Sequence, residues 1–166
     1  MDTPRLLEIQ IADDKGLPMR SVPSIKAIEG IGLEGDRYAT GKGAFSNSKP
    51  PRNIDRHMSL IESEAIADVR TQENIDVTFA DTRRNVLTIG IRLNTLVGKQ
   101  FYIGDVLVEG VELCDPCGRP GTLSGKEDVR ARFKEAFENR GGLRVRVLGT
   151  GEIQQGDVIR LENEAI

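Results

Sequence analysis

The sequence holds no tryptophan, a single histidine (His57) and only two cysteines, and aromatic residues make up 4% of it. A Ser-His-Asp triad would have to use His57, and there is no GxSxG turn to carry its serine. A structural zinc site usually takes four Cys or His ligands; two cysteines and one histidine fall short of that without carboxylates. No apolar run approaches the roughly 18 residues that cross a bilayer, and the first 20 residues contain no apolar stretch of signal-peptide length. A basic surplus is also missing. Lys and Arg number 23 against 26 Asp and Glu, a net charge of −3, which argues against a dedicated nucleic-acid binder. The expectation is a cytoplasmic protein that binds neither nucleic acid nor membrane. In that reducing compartment a disulfide framework is not expected either.

What is present is β-rich. The 166 residues suit one domain, 1–166, and 18 glycines separate short alternating or β-branched segments. Strands are predicted at 5–11, 23–29, 85–91, 100–103, 106–113, 143–148 and 158–161. Gly104-Asp105 and Gly156-Asp157 sit between apolar runs and predict hairpin turns. Two helices are predicted from capping boxes, one opening at Ser59-Leu-Ile-Glu62 and one at Ser124-Gly-Lys-Glu127. Ile61, Ala65 and Val69 form the apolar stripe of the first; Val129, Phe133, Ala136 and Phe137 form that of the second, which ends at Asn139-Arg140-Gly141-Gly142. Gly41–Asp55, rich in Gly, Ser, Pro and Asn, predicts a long loop. The fold class is therefore mainly β with a few helices, and a barrel rather than an open sheet.

Three motifs carry chemistry-bearing residues. Leu113-Cys114-Asp115-Pro116-Cys117-Gly118-Arg119-Pro120 places two thiols at a strand end, on a turn stiffened by proline. A thiolate there can serve as nucleophile, sulfur carrier or soft metal ligand, with Arg119 supplying a cation beside it; the alternative is a pair of inert, half-buried cysteines. A thioredoxin-like role needs the first Cys at a helix N-terminus, and the next predicted helix starts only at Ser124. Gly30-x-Gly-x-x-Gly35-Asp36-Arg37 matches a dinucleotide fingerprint in spacing, but no helix follows it, so it reads as a turn that places Asp36 and Arg37. Asp81-Thr-Arg83-Arg84-Asn85 is a polar knot before a strand. Adjacent arginines there can grip a phosphate bidentately or form an exposed charged turn; as strand neighbours they would face opposite ways.

Taken in order, these pieces resemble the MOSC family, named for the C-terminal domain of molybdenum-cofactor sulfurase. The resemblance rests on Gly35-Asp36-Arg37, Ser59-Leu-Ile-Glu62-x-Glu64, Arg83-Arg84-Asn85-Val-Leu-Thr-Ile-Gly90, Leu96-Val-Gly98, Phe101-x-Ile103-Gly104 and Pro116-Cys117. The tail, Gly142-Leu-Arg-Val-Arg-Val-Leu148, Gly151-x-Ile153 and Gly156-Asp157, continues it, so that it runs from about Ile28 to Leu161. It implies a MOSC-like β-barrel and one functional cysteine, Cys117, acting as a persulfide sulfur carrier or as a molybdenum ligand. It places Arg83, Arg84 and Asn85, with Asp36 and Arg37, around the phosphate end of the molybdenum cofactor (molybdopterin). The implied activities are sulfur transfer or reduction of N-hydroxylated compounds. Cys114 departs from the pattern as an extra thiol, leaving a disulfide with Cys117 open, and Tyr38 stands where a His is frequent. The chain has no room for the pyridoxal-phosphate desulfurase domain of larger relatives, so a cysteine desulfurase or cofactor-donor protein is the expected partner. The competing expectation is a small non-catalytic barrel that binds a phosphate-bearing anion.

Overall fold

A computed structural model describes residues 3–43 and 57–162. In chain order the elements are β1 (Arg5–Ile11), β2 (Arg20–Val22), β3 (Ser24–Ile28), β4 (Gly32–Leu33), β5 (Met58–Glu62), α1 (Ser63–Gln72), α2 (Phe79–Thr82) and β6 (Val86–Ile89). They continue with β7 (Gln100–Ile103), β8 (Val106–Leu113), α3 (Arg119–Ser124), α4 (Glu127–Ala136), β9 (Leu143–Val147), β10 (Gly151–Gln154) and β11 (Ile159–Leu161). No helix among the described residues is long and apolar enough to cross a membrane.

Eight strands form one sheet in the order β11-β7-β8-β9-β5-β6-β1-β2, and β10-β3-β4 form a second. The large sheet curls until its β11 edge meets the start of β1. There Leu6 N–H donates to Asp157 O at 2.8 Å, Gly156 N–H to Leu6 O at 2.8 Å, and Ile159 N–H to Pro4 O at 2.9 Å. Bulges between Leu6 and Glu8 and between Gly110 and Glu112 supply part of the curvature, since an extra residue bends and twists its strand. Gly110 is needed for closeness: a Cβ there would collide with the Leu96 carbonyl. The β5–β6 pair is the one parallel pairing among the described strands, with α1 and α2 in the connection between them.

Alternation divides the side chains between two cores. Leu60 and Val86 point into the barrel with Leu6, Ile9, Phe101, Val108 and Val145. Their neighbours Ile61 and Leu87 point outward, under α1 and α4, with Ile66, Val69, Val129, Phe133 and Phe137. The Phe133 and Phe137 rings are in contact at a tilt of 36°, their centroids 4.7 Å apart.

Several expectations are corrected here. Ser59-Leu-Ile-Glu62 is not a capping box: Ser59 lies within β5, and α1 starts only after Glu62. Ile61 still shares a core with Ala65's helix, which is why helical spacing fitted it. Ser124 does not cap α4 either. It ends α3, where its hydroxyl donates to Gly121 O at 2.7 Å and accepts from Lys126 N–H at 3.1 Å. Gly156-Asp157 turns the chain but joins no hairpin, because β10 pairs with β3 and β11 with β7; Gly104-Asp105 does join the antiparallel β7 and β8. From residue 44 onward, the long loop predicted at Gly41–Asp55 lies outside the described residues.

Candidate functional site

β8 ends at Leu113, and Cys114 is pinned just past it by its N–H, which donates to Gly142 O at 2.8 Å. Gly142 can accept this bond only by approaching β5 closely: it has φ +109°, and a Cβ there would collide with the Leu60 carbonyl. Cys114 is buried, 3% exposed. Pro116 turns the chain away, leaving Cys117 half-buried immediately before α3. Both cysteines are free thiols. The sequence placed the first helix after the cysteines at Ser124; α3 in fact starts at Arg119, two residues past Cys117, because Pro120 sits in its first turn, where a missing N–H costs nothing. It has only six residues.

Opposite the thiols lies the Arg83–Arg84 turn. α2 opens on a true capping box, Thr78 Oγ accepting from Asp81 N–H and Asp81 Oδ2 accepting from Thr78 N–H at 2.9 Å. It closes on Arg83, which adopts the left-handed conformation at φ 59°. Arg83 and Arg84 therefore precede β6 rather than alternate along it, and both face the same cleft. Arg83 is 8% exposed. Its Nη1 donates to Leu17 O at 2.8 Å and its Nη2 to Lys15 O at 3.1 Å. Burial, then the nearby Arg37 and Arg119 cations, lower its pKa to about 10, so it remains a cation at neutral pH. Arg84 Nε donates to Gly141 O at 2.8 Å, while its two terminal nitrogens have no partner among the described residues.

Asp36 and Arg37 hold this turn from behind. The Asp36 carboxylate is fully buried and accepts from Ala12 N–H at 3.1 Å, Tyr38 N–H at 3.3 Å and Arg37 Nη1 at 3.1 Å. Arg37 Nη2 then donates to Arg83 O at 3.0 Å. Gln10 assists, its Nε2 donating to Phe79 O at 3.0 Å and Arg84 O at 2.7 Å. The Asn85 side chain accepts from Ser59 N–H at 3.0 Å and donates to Gln10 O at 3.2 Å, tying β6 to β5 and β1.

Together these elements form a small open cleft, lined by Cys114 and Cys117, Arg37, Arg83, Arg84 and Asn85 among the sequence candidates. Asp36 is not on its wall. Lys15, Tyr38, Ser59, Arg119 and Arg144 also line it. Six cations thus converge on a site whose wall carries one acid, Asp115, in a chain of net charge −3. Such a cleft concentrates positive potential and attracts anions. Lys15 stands in a polar turn that no motif signalled, and Arg144 falls within the Gly142–Leu148 stretch without being marked there as a site residue; it alternates with Arg146 on β9, so only the register of β9 against β5 and β8 brings it here. His57 plays no part. It is buried, and its Nδ1 accepts from Val147 N–H at 2.8 Å, a structural role. The Gly30–Gly35 turn leads into no helix, so the dinucleotide spacing is coincidental.

Among the described residues no group of three or more His, Cys, Asp or Glu side chains could hold a metal ion. The donors in the cleft are two thiols and a ring of cations.

The MOSC domain profile matches residues 35–160, most of the sequence and every element of the cleft except β1 and the turn that follows it. The chain belongs to the MOSC domain family. That family is associated with molybdenum-cofactor-related proteins. The fold is similar to that of the YuaD protein of Bacillus subtilis, with a TM-score of 0.78 and 18% identity over 95% of this chain and 94% of that one. It is also similar to YiiM of Geobacillus stearothermophilus, with a TM-score of 0.71 and 14% identity over 98% of this chain and 77% of the other. For YiiM of Escherichia coli the TM-score is 0.64 at 17% identity, over 97% and 71%. Among curated proteins none matches the sequence. As a MOSC domain, the chain has the curled β-sheet its sequence implied.

Proposed function

We propose that this MOSC domain binds the molybdenum cofactor by its phosphate end in the cationic cleft and uses Cys117 as the sulfur that meets the metal end. The observation that carries the reading is the convergence of Cys117 with Arg84, Lys15 and four further cations on one cleft in an acidic protein. The donor set fits such a group. A phosphate takes charge-assisted hydrogen bonds from guanidinium forks, and the terminal nitrogens of Arg84, without a partner among the described residues, can give them. Thiolate sulfur suits a soft or sulfur-accepting metal centre. Bound here, the cofactor would supply a metal that accepts sulfur.

Cys117 itself is best suited to carry sulfur. A carrier must be loaded from outside, and its thiol is half-exposed at the mouth of a turn whereas Cys114 is buried. In loading, the Cys117 thiolate attacks the outer sulfur of a donor persulfide; the S–S bond breaks, the donor thiolate leaves with the electron pair, and the sulfane sulfur stays on Cys117. A cysteine desulfurase is the fitting donor. The second use, direct ligation of the metal by Cys117, draws on the same placement and would belong to a reductase of N-hydroxylated compounds.

One set of preparations tests the reading. The protein is expressed with added molybdate and analysed for metal and pterin, and the purified protein is treated with polysulfide and examined by mass spectrometry. Sulfur gained at Cys117, together with cofactor bound by the wild type, supports the carrier. Molybdenum near one per chain that is lost in Cys117→Ser, with no sulfur uptake, supports the ligand role. Anion binding that is indifferent to Cys117→Ser, with neither metal nor sulfur, leaves a non-catalytic anion-binding module and overturns the proposal.

A further inference from the structure

Two cations of the cleft converge on one neutral oxygen. Arg83 Nη2 and Arg119 Nη2 both donate to the Lys15 carbonyl, at 3.1 and 3.3 Å, and Arg83 Nη1 donates to the Leu17 carbonyl at 2.8 Å. These arginines come from separate elements, the end of α2 and the first turn of α3. The carbonyls come from the segment between β1 and β2, which is held at one end by Ala12 and at the other by Met19, whose Sδ accepts from Arg37 Nη1 at 3.6 Å, and between them runs over the surface: Lys15, Gly16, Leu17 and Pro18 are exposed, Leu17 by 47%. Carbonyl dipoles accept these three hydrogen bonds but carry no formal charge to balance the two cations. Arg83 is buried with only one carboxylate, Asp36, in its neighbourhood, and that one is already bonded to Arg37. A buried guanidinium is far better matched by an anion that gives two parallel hydrogen bonds.

We propose that Arg83 and Arg119 form an oxyanion site which the segment 13–19 occupies with its own carbonyls, so that binding a tetrahedral oxyanion and releasing this strap are a single event. The strap is an internal stand-in ligand. With no anion it closes over the cleft and carries Lys15 across the opening; an arriving oxyanion takes the two guanidinium forks, the Lys15 and Leu17 carbonyls turn to water, and the cleft opens beside Cys117. The exchange is feasible because water replaces the lost hydrogen bonds of an exposed carbonyl at little net cost, while the new bonds join opposite charges. This inference rests on the anion-binding half of the proposed function and makes no use of the chemistry of Cys117.

The test is hydrogen exchange of the backbone amides of 13–19, read by mass spectrometry, alongside the rate of tryptic scission after Lys15. Orthophosphate and molybdate are each compared with chloride at matched ionic strength. Both rates should rise at least about fivefold with one or both oxyanions; a response to orthophosphate alone marks a phosphate-bearing ligand, and a response to molybdate alone marks a metal oxyanion. Arg119→Ala loses one of the two forks, and since its only hydrogen bond among the described residues is the long one to Lys15 it should fold normally. In that variant the half-effect concentration should move up tenfold or more. Rates that stay unchanged or fall with both oxyanions would show the carbonyls to be permanent structural partners and would overturn the proposal, as would an unaltered response in Arg119→Ala. A strap that responds in a protein that never loads cofactor or sulfur refutes only the proposed function; a loaded protein with an unresponsive strap refutes only this inference.

Discussion

The parallel strands β5 and β6 start in one charged site and end in another of opposite sign. At their N-terminal ends, Met58, Ser59 and Asn85 line the cationic cleft; at their C-terminal ends, Glu62, Gly90 and Ile91 line a groove with Glu64, Asp68 and Glu138. In the groove two of the four carboxylates are occupied by backbone. Glu62 accepts from Leu93 N–H at 3.1 Å and Glu64 from Gly90 N–H at 2.8 Å, which anchors the chain leaving β6. The cleft does the reverse, with guanidinium groups bonded to carbonyls of Lys15, Leu17, Arg83 and Gly141. Both sites use charge to satisfy peptide groups and both keep most of that charge. The difference is reach. The groove carboxylates serve single turns of chain, whereas the arginines tie four separate segments around one cavity and leave terminal nitrogens of Arg84 facing it.

The contrast can be broken most severely at its best-paired ion. Asp36→Ala removes the acceptor for Ala12, Tyr38 and Arg37 and leaves the buried Arg37 uncompensated; breaking one side of a buried pair costs about 3–5 kcal/mol, so a large fall in Tm is expected in thermal denaturation. Next, Arg84→Ala should weaken binding of a phosphate-bearing ligand roughly tenfold to hundredfold in calorimetric titration, since hydrogen bonds to charged groups contribute about 1.5–3 kcal/mol. Its stability should fall by only about 1 kcal/mol, for the single bond to Gly141. In the groove, Glu64→Ala should do the opposite, costing at most about 1 kcal/mol of stability as Gly90 N–H turns to water and leaving anion affinity unchanged.

The smallest effect is a dependence on pH. Burial, opposed by the Leu93 hydrogen bond and by Arg92, raises the Glu62 pKa above its ordinary 4.5. A carboxyl with a raised pKa in the folded state binds its proton more tightly there than when unfolded. It therefore destabilises the ionised fold at neutral pH, and that cost fades as pH falls through the folded pKa, vanishing below about 4.5. Glu62→Gln, which keeps an acceptor for Leu93, should raise Tm slightly at pH 7 and leave it unchanged at pH 4. A Tm gain that persists at pH 4 would refute the assignment.

Much of the barrel was readable from alternation: the bounds predicted for β1, β7 and β8 coincide with the observed strands. Strand β5 was not, because Met58-Ser-Leu-Ile-Glu62 buries its inner and outer faces in two different cores, and a short run that is apolar on both sides has no period of its own. The helix α2 was hidden by its length, four residues whose cap, Thr78, lies outside the motif that drew attention. Of the site, the residues borne on recognisable turns were legible: Cys117, Arg83, Arg84 and Arg37 do share a cleft. The roles within it were less so. Asp36 and Asn85 read as candidates for ligand contact, yet their side chains bond to the protein's own backbone and to Arg37. A sequence shows that a residue is polar and near a motif; which way its hydrogen bonds go is decided by chain that arrives from elsewhere, here Ala12, Ser59 and Gln10.

The seam between β1 and β11 bears on how this molecule acquires its shape. The bonds that shut the barrel join residues 4–6 to residues 156–159, so β1 waits for chain that follows β10. Such distant pairings fold slowly, because loop entropy is lost before contact is gained. Until the seam forms, β1 can pair only with β2 and β6, and its outer edge stands open to any other strand. On the ribosome this edge therefore stays open to wrong pairing until residues 156–159 have emerged and docked, and a chaperone that shields it should raise the yield more than one that acts on the helices.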